Sequence, residues 1–95
     1  MMSDSNVILG AEFEPVSDRE KAELRINRGI RVKKLSNGKL KSAGLVEGFV
    51  ITDVNKKPVY DIGDFKRVIT NAKGGILVEG VYPNGELAYF VFGVN

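Results

Sequence analysis

Histidine and cysteine are both absent from this 95-residue chain. Without histidine, no Ser-His-Asp or Cys-His nucleophile system can be assembled within it, and no imidazole-based metal site either. Without cysteine there is no disulfide framework and no thiolate chemistry, an absence that leaves the compartment open. No apolar run approaches the ~20 residues of a membrane-spanning helix, so no membrane insertion is expected. An excess of one charge is missing too: fourteen Lys and Arg against twelve Asp and Glu leave a net charge of +2, too near neutral to call for a polyanionic partner. The remaining carboxylates stand in settings that suit helix caps and solvated faces rather than acid–base work. The chain is therefore expected to be no enzyme by itself and to need no metal or other cofactor. No repeat, linker or low-complexity stretch divides it. The polar start Met1-Met2-Ser3-Asp4-Ser5-Asn6 is not a signal peptide. It is expected to be a disordered or appended tail on a single domain covering 7–95, the whole being a fragment of a longer protein.

The most informative stretch is 43–59. Ala43-Gly44-Leu45 reads as the end of a one-turn helix over 39–43, with glycine free to take a positive φ at the stop. Residues 49–54 form an apolar run rich in β-branched side chains, a buried strand. Asn55-Lys56-Lys57-Pro58 is a turn, and Pro58 limits any following strand to a short or edge position. Upstream, 7–13 reads as a strand interrupted by Gly10. Ser17 and Glu20 have capping-box spacing for a short helix ending near Leu24. Residues 29–35 read as a strand and Ser36-Asn37-Gly38 as a turn. Downstream, Asp61 is placed to cap a helix running to Asn71 or Ala72 and stopped by Gly74-Gly75. Strands over 76–82 and 87–94 flank Pro83-Asn84-Gly85-Glu86, a strong hairpin signal.

The ordered set Ala43-Gly44-Leu45, Gly48, Val50-Ile51, Val54-Asn55, Lys57-Pro58-Val59 and Asp64-Phe65 resembles the PDZ domain of bacterial HtrA/Do-type (Deg) serine proteases. Phe49 stands where that family usually has aspartate, and Lys56 where it has the turn glycine. The resemblance spans 7–94. The hairpin segment Glu79-Gly80-Val81-Tyr82-Pro83-Asn84-Gly85 with Ala88-Tyr89-Phe90 looks like the last PDZ domain of Bacteroides-type members. The family implies an α+β fold: a small, partly open antiparallel β-barrel or sandwich of about five or six strands, with two or three short helices and the permuted HtrA-type strand order. It also implies a periplasmic parent protein, a trypsin-like serine endopeptidase of protein quality control.

Ile8-Leu9-Gly10-Ala11 matches the family's carboxylate-binding loop, so the backbone amides of Leu9, Gly10 and Ala11 would receive a peptide's terminal carboxylate. Read without the family, Gly10 is a bulge or a close backbone approach. Under the resemblance Gly10→Val would weaken peptide binding at limited cost in stability. The groove would be lined by Ile8, Glu12, Phe13, Ile62, Lys66 and Ile69. The helical stripe Ile62, Phe65, Val68, Ile69, Ala72 has two readings: wholly core-facing by periodicity, or split by the resemblance, with Phe65 and Val68 inward and Ile62, Lys66 and Ile69 at the groove. Partners are then C-terminal or unfolded peptide segments, or other subunits or domains of the parent if the module serves assembly instead. Seven basic residues between Leu24 and Val46, with no acidic one, form either an anionic-partner patch or a solvated face. No aromatic interleaves with them, and no nucleic-acid binding is expected.

Overall fold

The computed structural model describes residues 7–93, with Val7 by its backbone alone; the expected N-terminal tail lies outside the described residues. The elements run β1 (Val7–Ile8), β2 (Ala11–Pro15), α1 (Asp18–Leu24), β3 (Ile30–Leu35), α2 (Lys39–Ala43), β4 (Val50–Val54), β5 (Lys57–Pro58), α3 (Ile62–Asn71), β6 (Gly75–Val81) and β7 (Leu87–Gly93). All pairings are antiparallel. They join the strands into one sheet in the order β1-β2-β3-β4-β6-β7, with β5 hung on β4. Among the described residues six strands lie on the main path of the sheet, within the expected five or six, and the two-residue β5 adds a seventh beside β4. The sheet does not close into a barrel: β1 and β7 are its edges.

Strand β4 is the centre of the packing. Its apolar run is buried on both faces, as a central strand between two layers must be. Ile51 and Val54 point into the main core with Phe13, Ile30, Val32, Leu40, Phe49, Phe65, Ile76 and Val78. Val50 points the other way, into a smaller cluster with Val16 and Val81 that Leu24 and Ile26 cover at the end of α1. Phe49 takes its place in the main core edge-on to Tyr82 and Phe90, with ring centroids 5.1 and 5.4 Å away. An aspartate at that position could not be accommodated in such surroundings, so the departure from the PDZ pattern is matched by aromatic partners.

The second departure is tolerated by a different route. Asn55 and Lys56 have φ of 51° and 67°, the left-handed pair of a tight hairpin turn. Lysine is strained there by roughly 1–2 kcal/mol. The turn is held by Asn55, whose amide donates to Leu77 O at 2.8 Å and whose Oδ1 accepts from Leu77 N–H at 2.7 Å. Lys56 Nζ lies 3.2 Å from Glu79 Oε2.

Helix α1 begins with the expected capping box: Ser17 Oγ accepts from Glu20 N–H at 3.1 Å, and Glu20 Oε1 accepts from Ser17 N–H at 3.2 Å. Helix α3 begins with Asp61 Oδ1 accepting from Asp64 N–H at 2.9 Å. It ends at Asn71, as expected, but not at the glycines. The chain leaves the helix at Ala72, which is extended, and Gly75 already belongs to β6.

Glu20 also ties α1 to the sheet. Arg31 on β3 reaches Glu20 Oε2 with Nη1 at 2.6 Å and Oε1 with Nη2 at 3.0 Å, while its Nε reaches Glu14 Oε2 on β2 at 2.8 Å. Arg31, then the Ser17 amide, hold the Glu20 carboxyl below its ordinary value of 4.5. A carboxylate with a depressed folded-state pKa stabilises the fold above its unfolded pKa, and that contribution is lost as pH falls through the folded value. Acidification below pH 4.5 should therefore lower the unfolding temperature of the wild type by more than it lowers that of Glu20→Gln, measured by circular dichroism. Parallel acid profiles would show that the cluster adds no pH-dependent stability.

Candidate functional site

The expected anion-binding loop is a two-residue hairpin turn between β1 and β2. Leu9 and Gly10 both have positive φ, 55° and 87°. The turn lies backbone-to-backbone on the turn at 36–38, where Ser36 N–H donates to Gly10 O at 2.7 Å. A Cβ built on Gly10 would stand 2.8 Å from Asn37 O, and one on Gly38 would stand 2.6 Å from Leu9 O. Gly10 is thus a close-approach glycine in a turn rather than a bulge within one strand. The amides of Leu9 and Gly10 donate to no described group. Two successive N–H groups with no described acceptor on one turn make a place where an anion gains what the backbone lacks.

Below this turn runs a furrow between β2 and α3. Ala11 and Phe13 face inward, 1% and 4% exposed. Phe13 meets Phe65 of α3 edge-on at 5.0 Å between centroids. Leu9, Ile62 and Ile69, half-buried, pack on the same cluster. Lys66 is exposed on the helix between Ile62 and Ile69. The stripe on α3 is split: Phe65 is buried, Ile62 lies toward β2, and Val68 lies toward Asn55 and Lys57. Glu12 alternates to the face opposite Ala11 and Phe13. It therefore does not line the furrow with them. Ile8 is not a wall of the furrow either: it belongs to β1, directly across from Ala11.

A pocket of about 160 Å³, mostly apolar, opens between Phe13, Pro15 and Ile30 on one side and Tyr60 and Ile62 on the other. A larger concavity, about 930 Å³, lies elsewhere, between the 25–28 loop and the β6–β7 hairpin. It contains none of the residues expected at the site, and Arg28 within it is engaged by both Asp53 oxygens at 2.9 and 3.0 Å. Among the described residues, amides without an acceptor and the apolar furrow come together at β2 and α3. The basic run is partly neutralised as well, since Arg28 and Arg31 are paired with acids outside it.

No family model and no curated protein sequence matches the chain. Solved structures do. The crystal structure of the HtrA3 PDZ domain bound to a phage-derived ligand (FGRWV) superposes with a TM-score of 0.73 at 20% identity, covering 90% of this chain and 86% of that one. The chain has a PDZ fold. The HtrA-type protease AlgW with a decapeptide is similar in two structures, at 22% identity, with TM-scores of 0.77 for a variant and 0.66. This chain is covered to 93% in both, and spans 28% and 29% of those proteases. In these PDZ terms β2 and α3 are the strand and helix that face each other, and the Leu9–Gly10 turn stands at the head of the furrow between them.

The packing of this PDZ turn revises the expectation for Gly10. Valine there would drive Cβ into Asn37 O at 2.8 Å and would be strained at a φ of 87°. Gly10→Val should lower stability by about 2–3 kcal/mol, read as an earlier urea midpoint. An unchanged midpoint would mean that the two turns do not touch in this way.

Proposed function

We propose that this PDZ domain is a peptide-binding module that captures a C-terminal or extended apolar segment by strand addition beside β2. The observation that carries the reading is the pair of amides at Leu9 and Gly10 with no described acceptor, at the head of an apolar furrow between β2 and α3. A ligand carboxylate would accept from those amides, its backbone would run along β2, and its side chains would alternate into the furrow. The apolar pocket at Ile62 supports an apolar residue two places before the ligand's end, since isoleucine offers no group to bond a hydroxyl.

The resemblance to HtrA-type proteases extends the proposal to the whole protein. There the module would recruit unfolded or cleaved proteins, or relay their binding to a trypsin-like catalytic domain, in the periplasm and as the last PDZ domain of a Bacteroides-type enzyme. One observation favours a second role in subunit assembly. Leu87, Tyr89 and Val91 on the edge strand β7 are 84%, 70% and 64% exposed, a row of apolar side chains suited to a protein partner.

The pentapeptide FGRWV, as free acid and as amide, separates the two roles by fluorescence anisotropy. The peptide-binding reading expects saturable, roughly micromolar binding of the acid, weakened about tenfold by amidation. A C-terminal peptide library should enrich apolar residues at the last and third-last places. Absence of binding, together with concentration-dependent self-association, would replace this reading by assembly. Enrichment of Ser or Thr at the third-last place would displace Ile62 from the groove.

A further inference from the structure

The edge of β2 that a ligand strand would use already has a partner. β1 pairs there, Ile8 with Ala11 and Val7 with Glu12. β3 occupies the opposite edge of β2, so β1 holds the outer one. Its direction is the ligand's: antiparallel to β2 and running toward the Leu9–Gly10 turn. Ile8 stands where the last residue of a C-terminal ligand would stand, across from Ala11, and packs half-buried on the cluster that contains Ala11 and Phe13. A strand edge offers each N–H and C=O once, so two strands cannot pair with the same residues.

Resting on the peptide-binding reading, we propose that β1 is a built-in competitor for the groove: the domain's own N-terminal strand occupies the ligand's edge at Ala11 and Glu12, and a peptide binds only when β1 leaves. β1 engages Ala11, one of the three amides expected at the carboxylate, while the Leu9 and Gly10 amides have no described acceptor with β1 in place, so the competition is for the edge more than for the anion. A two-stranded hairpin arm of this kind is at best marginally stable by itself. It would tune affinity rather than abolish it, since the apparent dissociation constant rises as the open fraction falls. The Ile62 pocket lies along β2 beyond the residues that β1 pairs, at Phe13 to Pro15, and stays accessible to upstream ligand side chains in both states.

A reversible clamp tests this on the full chain. Val7 and Glu12 face each other one pair beyond the pair that closes the turn. In a two-residue hairpin that is a non-hydrogen-bonded pair, the kind in which Cα atoms approach to about 4.5 Å. Such a pair is within the adjustment a disulfide needs, and the chain has no other cysteine to interfere. Val7→Cys with Glu12→Cys should oxidise readily, and the oxidised form should bind the valine-terminated pentapeptide acid at least about tenfold more weakly than the same protein reduced. Independently, Ile8→Gly should tighten binding about three- to tenfold relative to wild type. Equal affinity in the two redox states, or an Ile8→Gly variant no tighter than wild type, overturns the proposal and leaves peptide binding standing. Cysteines that fail to join under oxidant overturn it as well, by showing that β1 is not on this edge. No binding by wild type overturns the peptide-binding reading and this proposal with it.

Discussion

The contact between Phe13 and Phe65 holds the functional half of the molecule together. Phe13 faces inward from β2 and Phe65 is the one fully buried residue of α3, so their edge-to-face contact sets how close helix and strand can come. An aromatic pair of this kind contributes about 0.5–1.5 kcal/mol beyond its buried area. It also leaves the residues on either side, Ala11 and Ile62, bordering a furrow instead of collapsing against one another. The helix is steadied at its entrance: Asp61 caps Asp64, Asp64 Oδ2 accepts from Tyr60 N–H at 2.9 Å, and Asp64 Oδ1 pairs with Arg67 at 2.9 Å. Those bonds place Ile62 at the pocket mouth, so a capping signal visible in sequence becomes a positional constraint on the groove.

Charge has a structural use on the far side of the sheet. Arg28 forks onto Asp53 of β4, and Arg31 joins Glu14 of β2 to Glu20 of α1. Planar guanidinium groups suit such two-sided pairing where a lysine would not. The segment between β2 and β3 is thereby fastened to strands that also form the groove. A basic run that looked like one face in the sequence is divided by the fold, some of it used internally and the rest facing solvent.

Much of this architecture was legible in the sequence because local chemistry and tertiary context agree. Ser17 with Glu20, Asp61, Gly44, Pro58 and Asn84-Gly85 each mark a boundary for a reason confined to a few residues, and each boundary stands within a residue or two of its place. The end of α3 was legible in place, at Asn71, but not in its means: the chain turns at an extended Ala72, ahead of Gly74-Gly75. Gly10 was legible as special but not in its cause, since the obstacle is Asn37 O, remote in sequence. Glu12 and Ile8 were assigned to the groove by alignment. Strand alternation sends Glu12 to the opposite face, and pairing sends Ile8 across the edge; neither follows from residue type. The split of the α3 stripe needed tertiary information too, because periodicity alone treats Ile62, Phe65 and Val68 alike.

An open sheet must do something with both of its edges, and this one treats them differently. At β2 the described part of β1 covers the edge in cis at Ala11 and Glu12, the cover that a strand bringing a carboxylate to the turn would displace on the proposed reading. At β7 the inward residues Ala88, Phe90 and Phe92 pack on the core, while Leu87, Tyr89 and Val91 remain in solvent with neither charge nor proline among them to discourage a partner. An edge covered in cis suits exchange and an exposed apolar row suits lasting contact. On the proposed reading, transient peptide capture belongs to β2, and β7 is the side on which a larger protein would seat the domain.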